Sequence, residues 1–340
     1  MHKEALQLQQ VFFNHIKTQL LPHLALVDEV VSVLSISHDS AYRRIRGEKS
    51  LSFEEIQKLS GHFKISLDQV LHLKSDAFIF NGKITNHTDF TFNNWLQNVI
   101  QNVGFILSYK PCHLFYLAKE LPFYYYFFFF LLAAFKSFFF MKSILYYEDW
   151  KHARFSVTDD YSKYHEYYQK ISGYYATLPS TEVWSIENIT STLNQIEFYR
   201  ITGSLKSDED ALILFDKLEE VINHIQLQAE QGVKLHKGQT KNPAGPEYRM
   251  FVNELIMGDN MQQARIGDTV ITYMNHSVIN FIVTRDLAFN EYAKKTLDNI
   301  AQKSTPISEV NEKERLLFFN RLRNKIYNAK KNVAANPVYA

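Results

Sequence analysis

Residues 34–71 read LSISHDSAYRRIRGEKSLSFEEIQKLSGHFKISLDQVL, and the fold of the amino-terminal part turns on them. Just upstream, Val27, Val30, Val31 and Leu34 fall at i, i+3, i+4 and i+7, which is one face of a helix. Ser35-Ile36-Ser37 interrupts that pattern, and Ser37 is placed to cap a second helix, His38–Arg46, that Gly47 ends. Ala41 and Ile45 make its inward face. The small Ala41 permits close approach, and Ile36 plugs the angle between the two helices. Ser52 and Glu55 then have capping-box spacing, with Leu51 and Ile56 in the staple positions, and open a helix whose inner face is Ile56, Leu59 and Phe63. Ser66 and Gln69 repeat the spacing ahead of Val70 and Leu71. Leu8, Val11, Phe12 and Ile16 mark a helix before all of these.

With Ala41 and Ile45 turned inward, the second helix shows His38, Asp39, Tyr42, Arg43 and Arg46 to solvent. Residues 38–49 hold Arg43, Arg44, Arg46 and Lys49 against Asp39 and Glu48, a local net charge of +2. A helix of this size fits the major groove of DNA, where Arg addresses guanine O6 and N7 bidentately.

In order and spacing, this stretch resembles the phage-repressor (Cro/C1-type, XRE) helix-turn-helix family. The elements that carry the resemblance are the turn Leu34-Ser35-Ile36-Ser37, the helix ending Arg46-Gly47, and Lys64-Ile65-Ser66-Leu67-Asp68-Gln69-Val70-Leu71. Ser35 stands where that family usually has Gly, and Arg44 where a buried aliphatic is common. The resemblance covers about a fifth of the chain. It implies a five-helix DNA-binding domain whose third helix enters the groove. Farther on, FYLAKELPFYYYF (115–127), FKSFFFMK (135–142) and KSTPISEVNEKERLLFFNRL (303–322) resemble the long carboxyl-terminal half of certain bacterial regulators of the same class, which brings no ligand with it.

Outside this segment, composition sets limits. The chain has 340 residues, enough for two or three domains, and with 46% hydrophobic and 21% charged residues it is neither disordered nor fibrous. Lys+Arg is 37 against 36 Asp+Glu, so any nucleic-acid contact must come from a local patch. One cysteine, Cys112, excludes a disulfide framework or a thiolate zinc site within one chain, and is expected as a small buried hydrophobe. Met1–Leu20 has no secretory pattern, which makes the cytoplasm the expected compartment.

Leu121–Phe135 has no charge and contains eight consecutive aromatics, Phe123–Phe130. Fifteen uncharged residues fall short of a bilayer span, so the stretch is expected in a protein core and no membrane partner is expected. Eight consecutive side chains cannot all face one way. Their cover is expected from the rest of the chain and from a second subunit, in a soluble homodimer.

From residue 77 onward the reading is mixed. Ala77–Phe80 with Asn81-Gly82 reads as strand and turn, Phe92–Leu107 as helix, Cys112–Leu117 as strand and Phe127–Tyr147 as helix. Residues 148–235 read as helical, most securely Asp208–Gln231, and 238–247 as a loop. Short strands follow at 250–255, 264–265, 270–274 and 278–283, then helices near 287–303 and 309–330. Lys313–Lys331 carries seven Lys/Arg and one Glu, expected as an amphipathic helix with a solvated basic face.

There is no G-x-S-x-G, P-loop or dinucleotide loop, and neither Glu148/His152 nor Glu220/His224 has di-iron spacing. No enzyme, cofactor or metal is therefore expected. The fold class expected is mainly α: an N-terminal five-helix repressor-type helix-turn-helix domain followed by a larger helix-rich α+β region. The divisions are 1–75, 76–238 and 247–335. The function expected is a transcriptional regulator reading double-stranded DNA as a homodimer. Ser37, His38, Asp39, Tyr42, Arg43 and Arg46 would lie in the groove, with Arg44 and Lys49 on phosphates, and an unidentified small-molecule effector could act on the carboxyl-terminal region. A closed cavity with convergent polar groups in 77–335 would favour such sensing. The rival reading is a helical protein-interaction scaffold that binds no DNA.

Overall fold

A computed structural model of the chain describes residues 2–21, 23–65, 67, 78–82, 90–255 and 258–339, the side chains of 2–7 excepted. The chain divides into two compact units, Met1–Phe80 with Asp286–Phe289, and Asn81–Arg285 with Asn290–Ala340.

In the first unit, α1 (His2–Lys17), α2 (Leu26–Leu34), α3 (His38–Ile45) and α4 (Phe53–Phe63) enclose Phe12, Phe13, Ile16, Val30, Leu34, Ala41, Leu59 and Ile65. The capping logic of the sequence appears as geometry. Ser37 Oγ accepts from the Ser40 amide, and Ser52 and Glu55 close a reciprocal capping box. Ser35 ends α2 in the left-handed region at φ 55°, the conformation that favours Gly at such a position.

The second unit is organised by a seven-stranded mixed sheet. Its strands are β1 (Cys112–Leu117), β2 (Ser180–Trp184), β3 (Tyr248–Val252), β4 (Met261–Ile266), β5 (Thr269–Asn275), β6 (Phe281–Thr284) and β7 (Thr305–Pro306), in the order β6-β5-β4-β1-β2-β3-β7. β1, β2 and β3 are parallel neighbours, and the other pairings are antiparallel. Around the sheet lie α5 (Phe92–Leu107), α6 (Phe130–Phe139), α7 (His165–Ala176), α8 (Thr190–Ile201), α9 (Asp208–Gln231), α10 (Leu287–Gln302) and α11 (Glu312–Ala335).

This overturns the expected fold class. The chain is not mainly α with a helix-rich α+β region, because one seven-stranded mixed sheet runs through the larger unit and joins stretches read separately as 76–238 and 247–335. Nor do the amino-terminal helices make a five-helix repressor domain. Four are seen among the described residues, and the fifth expected at 66–71 lies outside them except for Leu67. Ala77 is likewise outside, while 78–80 form no strand and only Asn81 makes a bridge, to Val283.

Two parallel crossovers step the same way, β1 to β2 and β2 to β3. Right-handed connections then deliver both sets of linking helices to one face. That face carries the main core, with Leu114, Tyr116, Trp184, Tyr248 and Met250 packed under α5 to α9 and α11. The opposite face has only a small cluster, Leu117, Val183 and Leu297, under α10.

The aromatic run solves its geometric problem by changing conformation. Phe123–Phe128 is a 3₁₀ segment, Phe129 is extended, and Phe130 begins α6. Tyr124 through Phe129 are each no more than 6% exposed within one chain, so the run needs no second subunit to cover it. Each tyrosine hydroxyl has a partner: Tyr124 on Gln262, Tyr125 on Glu182, Tyr126 on Thr192. Among the described residues no helix is long and apolar enough to cross a membrane.

At the centre of the core, Glu182 and Lys234 form an ion pair of 3.0 Å with both side chains fully buried. Glu182 Oε1 also accepts from Tyr125, Tyr175 and Ser180, and Oε2 from Trp184 and Tyr248. The Lys234 ammonium lies 3.8 Å from the Tyr175 ring centre, 4.5 Å from Tyr248 and 5.1 Å from Tyr125. Burial alone would raise the Glu182 carboxyl, but Lys234 and the surrounding donors outweigh it and hold it below the usual carboxylate range.

Glu182→Gln should cost about 3–5 kcal/mol, because it strands a buried ammonium. The double substitution with Lys234→Met should recover much of that loss in denaturant titrations of the full chain. Equal losses in both variants would contradict the pairing. Two buried imidazoles set a pH dependence. Burial pushes His113 and His224 down to about 4, against an ordinary value of about 6.5. Below pH 6.5 the unfolded chain takes up these protons and the folded chain does not until about pH 4. Stability is therefore lost as pH falls through that window, by up to about 3 kcal/mol for each ring. Denaturation midpoints at pH 7 and pH 5, with His224→Gln flattening the slope, check this.

Candidate functional site

Helix α3 is the feature of the first unit with the most exposed polar chemistry. Ala41 is fully buried and Ile45 packs against the core, which turns the other side outward. Ser37, His38, Asp39, Tyr42, Arg43, Arg46 and Lys49 are all exposed. Tyr42 lies beneath the Arg46 guanidinium at 5.5 Å. Arg43 and Arg46 both lean on Glu48, at 4.0 and 3.7 Å, and His38 meets Asp28 at 3.0 Å. Exposed pairs of this kind are worth at most about 1 kcal/mol, so the cations remain available to a stronger anion.

Arg44 is the correction to the expected set. It is 4% exposed and points into the unit rather than toward a phosphate. Its Nε and Nη2 meet the Glu55 carboxylate, at 2.6 Å for the shortest contact, and Nη1 donates to the Ser40 carbonyl and hydroxyl. The same Glu55 carboxylate accepts from the Ser52 amide at 3.0 Å. One side chain thus closes the cap of α4 and ties α3 to it. The Arg44 hydrogen bond leads the effects that lower the Glu55 carboxyl below its usual range.

A contact that sequence reading missed fixes the loop after α3. Gln9 on α1 donates to the carbonyls of Arg44 and Lys49, at 2.7 and 2.9 Å, and accepts from the Leu51 amide at 2.9 Å. Gln10 donates to the Arg46 carbonyl. Lys49 is therefore held by its backbone while its side chain is exposed. A polar glutamine on the helix surface gives no sequence signal of such a partner some 35–42 residues away.

The basic carboxyl-terminal helix is built differently from α3. Phe318, Phe319, Leu322, Ile326 and Val333 are buried, as an amphipathic helix requires. Its basic face is not simply solvated. Arg321 pairs with Glu254, Lys325 with Glu187, and Lys330 with Asp216 and Glu219. Arg323 donates to Asn223 and Gln226. Lys325, Lys330 and Arg323 thus tie α11 to its neighbours.

Cys112 is half-buried rather than in the core, its thiol raised by desolvation. Glu220 pairs with Lys217 at 2.5 Å, and the described residues contain no group of three His, Cys, Asp or Glu placed to hold a metal.

No protein-family profile, characterised protein or solved structure matches this chain.

Arg44→Ala should lower the stability of the first unit by about 1.5–3 kcal/mol, the worth of hydrogen bonds to a charged group that is left part-buried. Hydrogen exchange of the α3 and α4 amides in the full chain reads this directly. Unchanged protection would show that Arg44 is not the tie between the helices.

Proposed function

We propose that the chain is a cytoplasmic, sequence-specific DNA-binding transcriptional regulator without catalytic activity. Helix α3 enters the major groove, and the larger unit serves dimerisation and the sensing of a small-molecule effector. The observation that carries this reading is the exposed row His38, Asp39, Tyr42, Arg43 and Arg46 on a helix started by a Ser37 cap and set off from α2 by a left-handed Ser35. A helix beginning at such a turn presents its first residues to base edges, and Arg supplies the bidentate contact to guanine. Lys49, beyond the helix and anchored through its carbonyl, is suited to a phosphate.

One short helix makes too few contacts for tight specific binding, so two copies on two half-sites are part of the proposal. The homodimer rests on that requirement and not on the aromatic run, which its own chain covers.

Selection of duplexes from a random pool by the full chain, followed by affinity measurements across salt concentrations, tests the reading. Arg43→Ala should cost about 1–3 kcal/mol on the selected site and relax preference at one base pair. Lys49→Ala should weaken all sequences alike and flatten the salt dependence. Unchanged affinity and salt slope in both folded variants would remove α3 as the reading element.

A further inference from the structure

The bare face of the sheet is not featureless. Where α10 stops covering it, at the amino ends of β1, β2 and β3, lies an open cavity of about 810 Å³. That falls within the range of small-molecule sites. Its floor carries two cations from neighbouring rungs of the sheet, because Thr181 lies opposite Phe115 rather than His113. Arg265 on β4 is the register partner of His113 on β1, and Arg249 on β3 is the partner of Thr181 on β2. Thr181 is 5% exposed, and its hydroxyl lies 3.0 Å from His113 Nε2. Two residues farther along β1 and β3 stand Phe115 and Phe251, both lining the same cavity. Phe115 lies opposite Thr181 and so shares the rung of Arg249, and Phe251 stands roughly 7 Å beyond Arg249 at strand rise.

The charges in this cavity are not balanced internally. Among the described residues, neither the Arg249 nor the Arg265 guanidinium makes an ion pair or a hydrogen bond; Arg249 stacks on Phe251 at 5.6 Å. Lys294 on α10 reaches Asp298 at 4.0 Å, and Glu247 stands at the rim. The imidazole of His113 registers the excess. After burial, the next influences that hold its protonation down are Arg265, Arg249 and Lys234. Two uncommitted guanidiniums over a neutral imidazole and a buried hydroxyl form an anion site. Phe115 and Phe251, which line the same cavity, add surface for a flat ring.

We propose that this cavity binds a nucleoside monophosphate, with the phosphate between Arg249 and Arg265 and the base against Phe115 and Phe251. Phosphate and base in such a molecule are separated by a ribose, a reach of the same order as the roughly 7 Å step along β3 from Arg249 to Phe251. Guanidinium is the side chain suited to bidentate capture of phosphate oxygens. A ring stacked on phenyl faces is held without base-specific hydrogen bonds, so all four common bases are accepted. The site lies wholly within the larger unit and does not depend on whether α3 reads DNA.

Calorimetric titration of the full chain with the four nucleoside monophosphates, adenosine and inorganic phosphate tests the proposal. The expected result is binding of the monophosphates, at least tenfold weaker binding of inorganic phosphate, and none of adenosine. Arg249→Gln and Arg265→Gln, both at exposed positions, should each weaken the monophosphates at least tenfold with unchanged melting of the free protein. Phe251→Leu should weaken the monophosphates and leave inorganic phosphate unaffected. In the complex, the His113 ring should titrate well above the value of about 4 set in the free protein, followed by its NMR signals. Absence of monophosphate binding, equal affinity for adenosine, equal affinity for inorganic phosphate, or arginine variants that bind normally would each overturn it.

Discussion

The larger unit is built around one buried charge pair. Removing a carboxylate and an ammonium from water costs several kcal/mol for each ion, and attraction between the two repays that only when the geometry is saturated. Here it is: Glu182 takes donors on both oxygens, and Lys234 is enclosed by three tyrosine rings. The groups involved come from the 3₁₀ segment, α7, β2, β3 and the chain just after α9. All five segments meet at this pair, which ties both crossovers to the sheet. The tyrosines serve twice, as hydroxyl donors to the carboxylate and as ring faces for the ammonium. This explains why the core uses Tyr at positions where Phe would fill the same space.

Handedness accounts for what the other face does. Parallel strands added in one direction send every crossover helix to one side, and the thick aromatic core follows from that. The opposite side is left with α10, which seals the carboxyl ends of β1 and β2 through Leu297 and leaves their amino ends open. An open sheet face is ordinarily a liability. Here its uncovered part carries Arg249 and Arg265 beside Phe115 and Phe251, which gives the face a chemistry of its own.

Legibility in the sequence varied with how local the cause was. β1, α5 and α9 were readable to the residue, because apolar alternation, Ser207 at the start and Gly232 at the end of α9 are local signals. β2 was missed and absorbed into a helical reading. Its inward positions are Ser180, Glu182 and Trp184, and a buried glutamate makes sense only with Lys234, fifty-two positions away. Phe127–Tyr147 read as one helix, whereas Phe127 and Phe128 end a 3₁₀ segment, Phe129 is extended and α6 starts only at Phe130. In the first unit, caps and turn residues placed α2, α3 and α4 correctly, whereas the inward course of Arg44 depends on Glu55, which the sequence had already engaged in a capping box. Exposed members of the candidate row followed from periodicity alone.

Two separate devices thus emerge in one chain, an exposed basic helix in the first unit and a cationic cavity in the second. The central functional claim is that α3 and the loop after it are what DNA touches. Hydrogen exchange of the full chain, free and saturated with a selected duplex, tests it most directly. The account predicts added protection over Ser37–Lys49 and in the α1 segment that anchors this loop through Gln9. Protection confined to the larger unit, with 37–49 exchanging as in the free protein, would contradict it.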